Sequence, residues 1–312
     1  LDDADVLIEN SRVGTMQKLG FGYEDVKKIN PKIIYCSISG FGTTGPYSKR
    51  GGFDLIAQGM SGLMSITGHK DAAPVKVGVP IADLNTGMFA MQGILSAYIH
   101  RLKSGKGQFL EVSLLESALA YTLYESSIYF TTGSIPEPDG SAHRLTAPYQ
   151  AFKTKDGFIN LGAANQSNWE RFVDVIGMSK LKEDKKFKTS DMRQINRKDL
   201  EAILEKVFST KNSEEWISIL LDNGIPAGPI YNMKEVWEDE QVKNRNMNVK
   251  IDHPNLKGSQ NIGVIAKLQS TPGKIKKPAP LYGEHTEEIL KELNYTESEI
   301  SDLIKNKIAG MK

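Results

Sequence analysis

The chain has 312 residues, 39% of them hydrophobic and 25% charged, with 39 basic against 38 acidic side chains and a formal net charge of +1. That length suits about two domains with a core that needs no covalent staples, and the charge balance leaves no electrostatic footprint for nucleic acid or a membrane surface. The single cysteine, Cys36, rules out an internal disulfide and fits a reducing compartment, and no apolar stretch approaches membrane-spanning length.

The sequence opens on Leu1 and enters a strand at Val6–Glu9, which reads as a chain entered in mid-domain. Tyr23–Ile29 reads as a short helix closed by Asn30-Pro31. Residues 32–38 form a β-rich apolar run stopped by Gly40, 54–66 read as helix, and 76–82 as a further short strand. Over 87–103 the apolar residues Met88, Met91, Leu95, Ile99 and Leu102 recur at helical spacing. That helix stops at Ser104-Gly105, with glycine where a left-handed cap is wanted. Gln108–Ser113 reads as strand and 114–130 as helix. Repeated strand–helix alternation predicts an α/β fold with parallel strands and helical crossovers.

Residues 133–147 are rich in turn formers and read as a linker. The texture then changes to a smaller α+β domain over 148–232. Its hairpin joins Tyr149–Lys153 to Phe158–Gly162 across Asp156-Gly157, and helices follow at 169–176, 196–208 and Ser213–Asp222. Residues 233–312 read as a return to the first domain, with helices at 286–293 and 297–304. Trp169 and Trp216 suit helix anchors, Cys36 suits the core, Met60, Met64, Met88 and Met91 suit packing, and His143 suits a satisfied loop histidine at least as well as a residue near a site.

Several chemistries are missing their signatures. No G-x-G-x-x-G opens a helix, no P-loop is present, no G-x-S-x-G elbow appears, and the five histidines show no metal-ligand spacing. Three segments remain. Asp83 falls between the 76–82 strand and the long helix, at the carboxyl end of a strand, where open α/β sheets bind ligands. Asn85 or Thr86 could cap that helix, and Thr86, Ala90, Gly93 and Ala97 form a second, small-residue stripe along it that allows a close neighbour on that face. Taken alone, Asp83 reads more readily as a capping residue than as a nucleophile. The second segment, Gly40 to Asp54, is a glycine-rich loop with Lys49 and Arg50. The third is Glu9-Asn10-Ser11-Arg12-Val13-Gly14 after the first strand. Each of these reads equally as an ordinary surface loop or turn.

In order and wording, residues 4–24, 30–68 and 78–115, together with Pro148 to Phe152, Gly224 to Pro229 and Pro280 to Thr286, resemble the family III CoA-transferases, the formyl-CoA-transferase-like (CaiB/BaiF) group. The PYQAFKTKDG run at 148–157 is closest to succinyl-CoA:glutarate-type members. The resemblance reverses the reading of Asp83, which matches the family's nucleophilic aspartate. It places CoA contacts at Asn10, Ser11, Arg12, Lys18 and Leu19, and at Gly51, Gly52, Phe53 and Asp54. Ser11 stands where the family usually has phenylalanine, and the family's longer N-terminal stretch is not in this sequence.

What the resemblance implies is a Rossmann-like large domain built from both chain ends (here N-terminally incomplete), a smaller domain between them, and an interlocked, ring-shaped homodimer. It implies a CoA thioester and a small carboxylic acid as substrates, no tightly bound cofactor or metal, and no nucleic-acid or membrane partner. The expected compartment is the cytoplasm, or the mitochondrion if a transit peptide lies upstream. Two rivals stand beside it. An α-methylacyl-CoA racemase of the same fold needs a histidine where this chain has Phe53. A non-catalytic CoA-binding chain would follow if essential CoA contacts were lacking.

Overall fold

A computed structural model describes residues 1–310. They fall into two compact units, Leu1–Pro229 and a second beginning at Ile230. In the first unit β1 (Val6–Glu9), α1 (Thr15–Lys18), α2 (Tyr23–Ile29), β2 (Ile34–Ser39), α3 (Asp54–Met60), α4 (Leu63–Ile66), α5 (Ile81–Ser104) and β3 (Gln108–Ser113) follow in order. The three strands form a parallel sheet in the order β1-β2-β3, with Val6 beside Ile34 and Ile34 beside Gln108. Helices α6 (Leu114–Leu119) and α7 (Leu123–Thr132) follow, with Leu114 and Ala118 of α6 packed against Ala57 of α3 and Ala82 of α5. The fold is thus mixed α/β around parallel strands, as the alternating pattern predicts.

β4 (Tyr149–Lys153) and β5 (Phe158–Gly162) form the expected hairpin, and β6 (Ala227–Pro229) joins them in an antiparallel sheet. Against it pack α8 (Gln166–Val175), α9 (Ser190–Ile195), α10 (Arg197–Phe208) and α11 (Ser213–Asp222). Phe152, Ile159, Trp169, Phe172, Phe208 and Trp216 make its core, so both tryptophans anchor helices as the sequence suggests. Arg193 is buried within it at 0% exposure. Its guanidinium donates to the carbonyls of Ala147 (2.9 Å), Phe187 (3.1 Å) and Ala164 (3.1 Å) and to Gln166 Oε1 (3.0 Å), and it lies 4.8 Å from the Trp169 ring centre. Among the described residues no carboxylate bonds to it. Burial pushes its pKa down to about 10, which leaves it cationic at neutral pH.

The second unit holds α12 (Met233–Glu238), α13 (Glu240–Asn244), a small antiparallel pair of β7 (Asn248–Lys250) and β8 (Gln260–Ile262), and α14 (Thr286–Glu292) and α15 (Glu297–Lys305). The last two match the helices read from the sequence. The β7–β8 pair, three residues per strand, is too short for periodicity to reveal.

Several expectations are corrected. Residues 76–82 are not a strand. Pro80 has no N–H to give a ladder, and the N–H groups of Val77 and Ala82 go to side chains instead, Gln58 Oε1 at 2.9 Å and Asp54 Oδ1 at 2.8 Å. The expected 54–66 helix is broken at Gly62, which sits at φ 86°, and the 114–130 helix is interrupted by a 3-10 turn at Ala120–Thr122. Asn85 and Thr86 do not cap α5 but lie inside it. Asn85 Nδ2 donates to the Ser117 carbonyl at 2.6 Å, and Thr86 Oγ1 to the Ala82 carbonyl at 2.7 Å.

The small-residue stripe of α5 meets a close neighbour as expected, while the expected packing of Met88 and Met91 is corrected. Thr86, Ala90 and Ala97 are buried, whereas Met88, Met91, Leu95, Ile99 and Leu102 are exposed, Met88 by 70%. Gly93 explains the choice: a Cβ there would come within 3.0 Å of Leu110 Cδ1 on β3, so the small stripe lets helix and sheet approach closely. Met60 is likewise exposed, which removes it from the core with Met88 and Met91. Cys36 is buried mid-strand.

Candidate active site

Asp83 occupies the first turn of α5 and is exposed. Among the described residues no hydrogen bond or ion pair engages its carboxylate, so its lone pairs stay open. The sequence-based placement at the end of a strand is corrected here: an irregular segment, not a ladder, delivers it. That segment is pinned by α3. Asp54 begins α3 and accepts from Ala82 N–H through Oδ1, and through Oδ2 from Gln58 Nε2 at 2.7 Å. Gln58, 0% exposed, in turn accepts from Val77 N–H. Asp54 therefore serves as the cap of α5 from a neighbouring helix, the task that Pro80 at the helix start has no side chain to perform.

Two forces move the Asp83 carboxyl. Partial burial, and after it the negative charge of Asp54, hold its pKa above the ordinary carboxylate value. Folding therefore tightens its hold on a proton. Its contribution to stability is full below the unfolded-state pKa of about 3.9 and is lost as pH rises through the higher folded-state value. Asp83→Asn is accordingly expected to be more stable than the parent chain at pH 7, with the difference shrinking toward pH 4 in urea titrations at the two pH values.

Gln58 escapes sequence reasoning, although a polar residue four positions after Asp54 on a helix whose neighbour Ala57 is apolar is the available signal. Gln58→Leu is expected to leave Val77 N–H and one Asp54 oxygen without partners, at a cost of about 1–3 kcal/mol. Urea unfolding checks the stability loss, and steady-state kinetics should show kcat falling while KM for the thioester holds.

Of the other predicted residues, Asn10 to Arg12 follow the carboxyl end of β1, and Gly52 packs on Gly40 past the carboxyl end of β2. Asn10 follows β1 and donates through Nδ2 to the Ile38 carbonyl at 2.8 Å. Ser11 N–H donates to Glu9 Oε2 at 2.8 Å, and Glu9 also takes a very short hydrogen bond from Ser37 Oγ. Arg12 joins Glu9, Tyr23, Tyr35, Ser37 and Thr43 around a cavity of about 320 Å³. Lys18 ends α1 with its side chain exposed, and Leu19 beside it is exposed too. Neither Arg12 nor Lys18 makes an ion pair among the described residues. Burial first, then the Glu9 charge, pushes the Cys36 thiol up, so it offers no competing nucleophile.

Gly51 is exposed, with no atom within 4 Å of where a Cβ would stand. Gly52 has a packing reason: its Cβ would fall 2.5 Å from Gly40 Cα, so two backbones touch there. Phe53, 77% exposed, precedes Asp54 at the start of α3. The end of β2 links the two groups of residues, since Ile38 takes the Asn10 bond, Gly40 packs on Gly52, and the Gly40 carbonyl accepts from Leu115 N–H at 3.1 Å. His143 is satisfied locally: its Nδ1 accepts from Leu145 N–H at 3.1 Å and its ring stacks on Tyr149. Among the described residues no cluster of side chains could hold a metal ion, and no helix is long and apolar enough to cross a membrane.

The chain belongs to CoA-transferase family III, whose model matches residues 1–286. It is 39% identical over 301 residues to the succinyl-CoA:glutarate CoA-transferase of Mus musculus, an alignment covering 96% of this chain and 69% of that one. It is 35% identical to the succinate–glutarate CoA-transferase of Agrobacterium fabrum, over 94% of this chain and 74% of the relative. Among solved structures, a CaiB/BaiF family protein from Brucella suis superposes with a TM-score of 0.81 at 35% identity, covering 94% of this chain and 76% of that one. The chain is a CoA-transferase, as its motifs predict.

Proposed function

We propose that this chain moves CoA from succinyl-CoA to a second small carboxylic acid, glutarate foremost, through a covalent intermediate on Asp83. The observation that carries the reading is the open carboxylate of Asp83 at the start of a 24-residue helix, with its backbone held by Asp54 and Gln58. The named activities of the mouse and Agrobacterium relatives support the choice of acids.

The chemistry balances without a redox partner. An Asp83 oxygen attacks the thioester carbonyl carbon, the C–S bond breaks, and CoA leaves as thiolate, giving a mixed anhydride. The thiolate then attacks the Asp83 carbonyl carbon and releases the donor acid as its carboxylate, leaving an aspartyl-CoA thioester. The acceptor carboxylate attacks that thioester and expels the thiolate, which attacks the acceptor's acyl carbon and frees Asp83. Each step replaces one activated acyl bond by another, the logic of covalent catalysis. The start of α5 favours negative charge on Asp83 by roughly 0.3–1 kcal/mol, opposing the upward pull of burial and Asp54. Backbone N–H groups around Gly51 and Gly52 are suited to receive the oxyanion of each addition.

In this reading Asn10, Ser11, Arg12, Lys18 and Leu19 contact CoA, with the two free cations placed to meet its phosphates, and Phe53 lines the thioester end. Phe53 has no proton to exchange, which supports the transferase over a racemase. The parallel sheet is the core of a Rossmann-like large domain. The exposed apolar stripe of α5 supports a homodimer, since contiguous apolar surface of that kind marks protein–protein contact. No resident cofactor is required, and the buried, unreactive Cys36 supports a reducing compartment such as the cytoplasm or the mitochondrial matrix. The test is a mass-spectrometric screen of the chain with succinyl-CoA and a panel of acids. Glutaryl-CoA is the expected new thioester, and consumption of succinyl-CoA with only free CoA appearing would refute the assignment.

A further inference from the structure

Gly87 has no explanation within the fold. It is the seventh residue of α5, its φ is not in the left-handed region, and it is exposed. A glycine inside a helix is about 1 kcal/mol worse than alanine. Other tight glycines have visible reasons. Gly93 clears Leu110, Gly52 clears Gly40, and a Cβ on Gly107 would fall 2.0 Å from the Ile33 carbonyl oxygen. At Gly87 a Cβ would meet no heavy atom within 4 Å among the described residues.

Its position does distinguish it. Residues four apart share a helix face, so Gly87 stands one turn along from Asp83 on the same side. Helical Cα–Cβ bonds tilt toward the N-terminus, so a side chain at 87 would lean back over the Asp83 carboxylate. Leu84 and Met88, both exposed and four apart, line one side of the gap. A carboxylate that attacks a thioester needs room for the carbonyl carbon, its oxygen and the first acyl carbons within van der Waals reach.

We infer that Gly87 keeps open the approach of the acyl thioester to Asp83, the missing side chain leaving a notch beside the Leu84–Met88 row in which the acyl carbonyl sits. The inference rests on the assignment of Asp83 as nucleophile. It identifies Gly87 as a positioning residue that acts by absence, at a cost to helix stability.

The test compares the full chain with its Gly87→Ala and Gly87→Leu variants. Two quantities are measured: the thermal midpoint, and the single-turnover rate at which succinyl-CoA plus hydroxylamine modifies Asp83. Gly87→Ala is expected to unfold about 2–4 °C higher and yet to acylate more slowly. Gly87→Leu is expected to lose about a hundredfold in rate, with binding of free CoA unchanged in both. A lower midpoint for Gly87→Ala would mean the glycine serves the fold, and a parent-like rate in Gly87→Leu would mean nothing occupies the notch. Either result overturns the inference while modification of Asp83 in the parent chain still stands. If the parent chain itself yields no modified Asp83, the nucleophile assignment falls first and the inference with it.

Discussion

Replacing Asp83 by alanine is expected to lower CoA transfer by about ten-thousand-fold or more, the scale on which loss of a covalent nucleophile is felt. The substitution should do this without unfolding the chain. No hydrogen bond or ion pair holds the carboxylate among the described residues, and alanine is a better helix residue than aspartate. The bonds that fix the start of α5 run through Asp54 to Ala82 N–H and through Asn85 to the Ser117 carbonyl, and both survive the change. Asp83→Glu is the sharper comparison. It keeps the charge but moves the carboxylate outward by one methylene, and a displacement of that order costs about a hundredfold. Rates of glutaryl-CoA formation, set beside circular dichroism of each variant, separate lost chemistry from lost structure.

The largest effect on stability is expected at Arg193. Its guanidinium satisfies the carbonyls of Ala147, Ala164 and Phe187 and the amide oxygen of Gln166, all from within the smaller sheet-and-helix layer. Arg193→Ala leaves the buried Ala147 and Phe187 carbonyls without a donor and opens a void beside Trp169. Each stranded polar group costs about 1–3 kcal/mol, so a total of about 4 kcal/mol or more is expected even after relaxation. Arg193→Lys preserves the charge but has no planar fork to reach four acceptors, and is expected to recover less than half of the loss. Thermal or urea unfolding monitored by tryptophan fluorescence reads this directly, since Trp169 lies against the guanidinium. An Arg193→Ala variant with parent-like stability would show that the four bonds contribute nothing net.

Neither Arg193 nor Gln58 was legible in the sequence, and for one reason. Their distant partners lie 19 positions away for Gln58 with Val77 and 46 for Arg193 with Ala147, and only the four-residue spacing of Asp54 and Gln58 leaves a local trace. Elements with a local cause were legible. Asp156-Gly157 closes the hairpin of β4 and β5, Gly105 caps α5 at φ 72°, and the α11 helix spans the residues its pattern marks. The close-packed face of α5 was legible too, since the small side chains of Thr86, Ala90, Gly93 and Ala97 allow a near neighbour, whereas periodicity alone does not tell that the apolar stripe opposite stays exposed. The 76–82 segment was not legible. Val77 and Val79 alternate as in a strand, while the N–H groups of Val77 and Ala82 go to side chains of α3, which no strand rule anticipates. Asp83 itself reads from spacing alone as a cap. The ordered family motifs, not the residue's own surroundings in sequence, identify it, and in the fold the cap turns out to be Asp54.

The most direct measurement traps the acylated side chain. The chain is incubated with succinyl-CoA and quenched with hydroxylamine, or reduced with borohydride, and its peptides are mapped by mass spectrometry. A hydroxamate or the reduced alcohol at position 83, absent without thioester and absent in Asp83→Asn, is the expected outcome. Continued turnover with that peptide unmodified would show that another group carries the acyl chain, and Asp83 would then be no nucleophile.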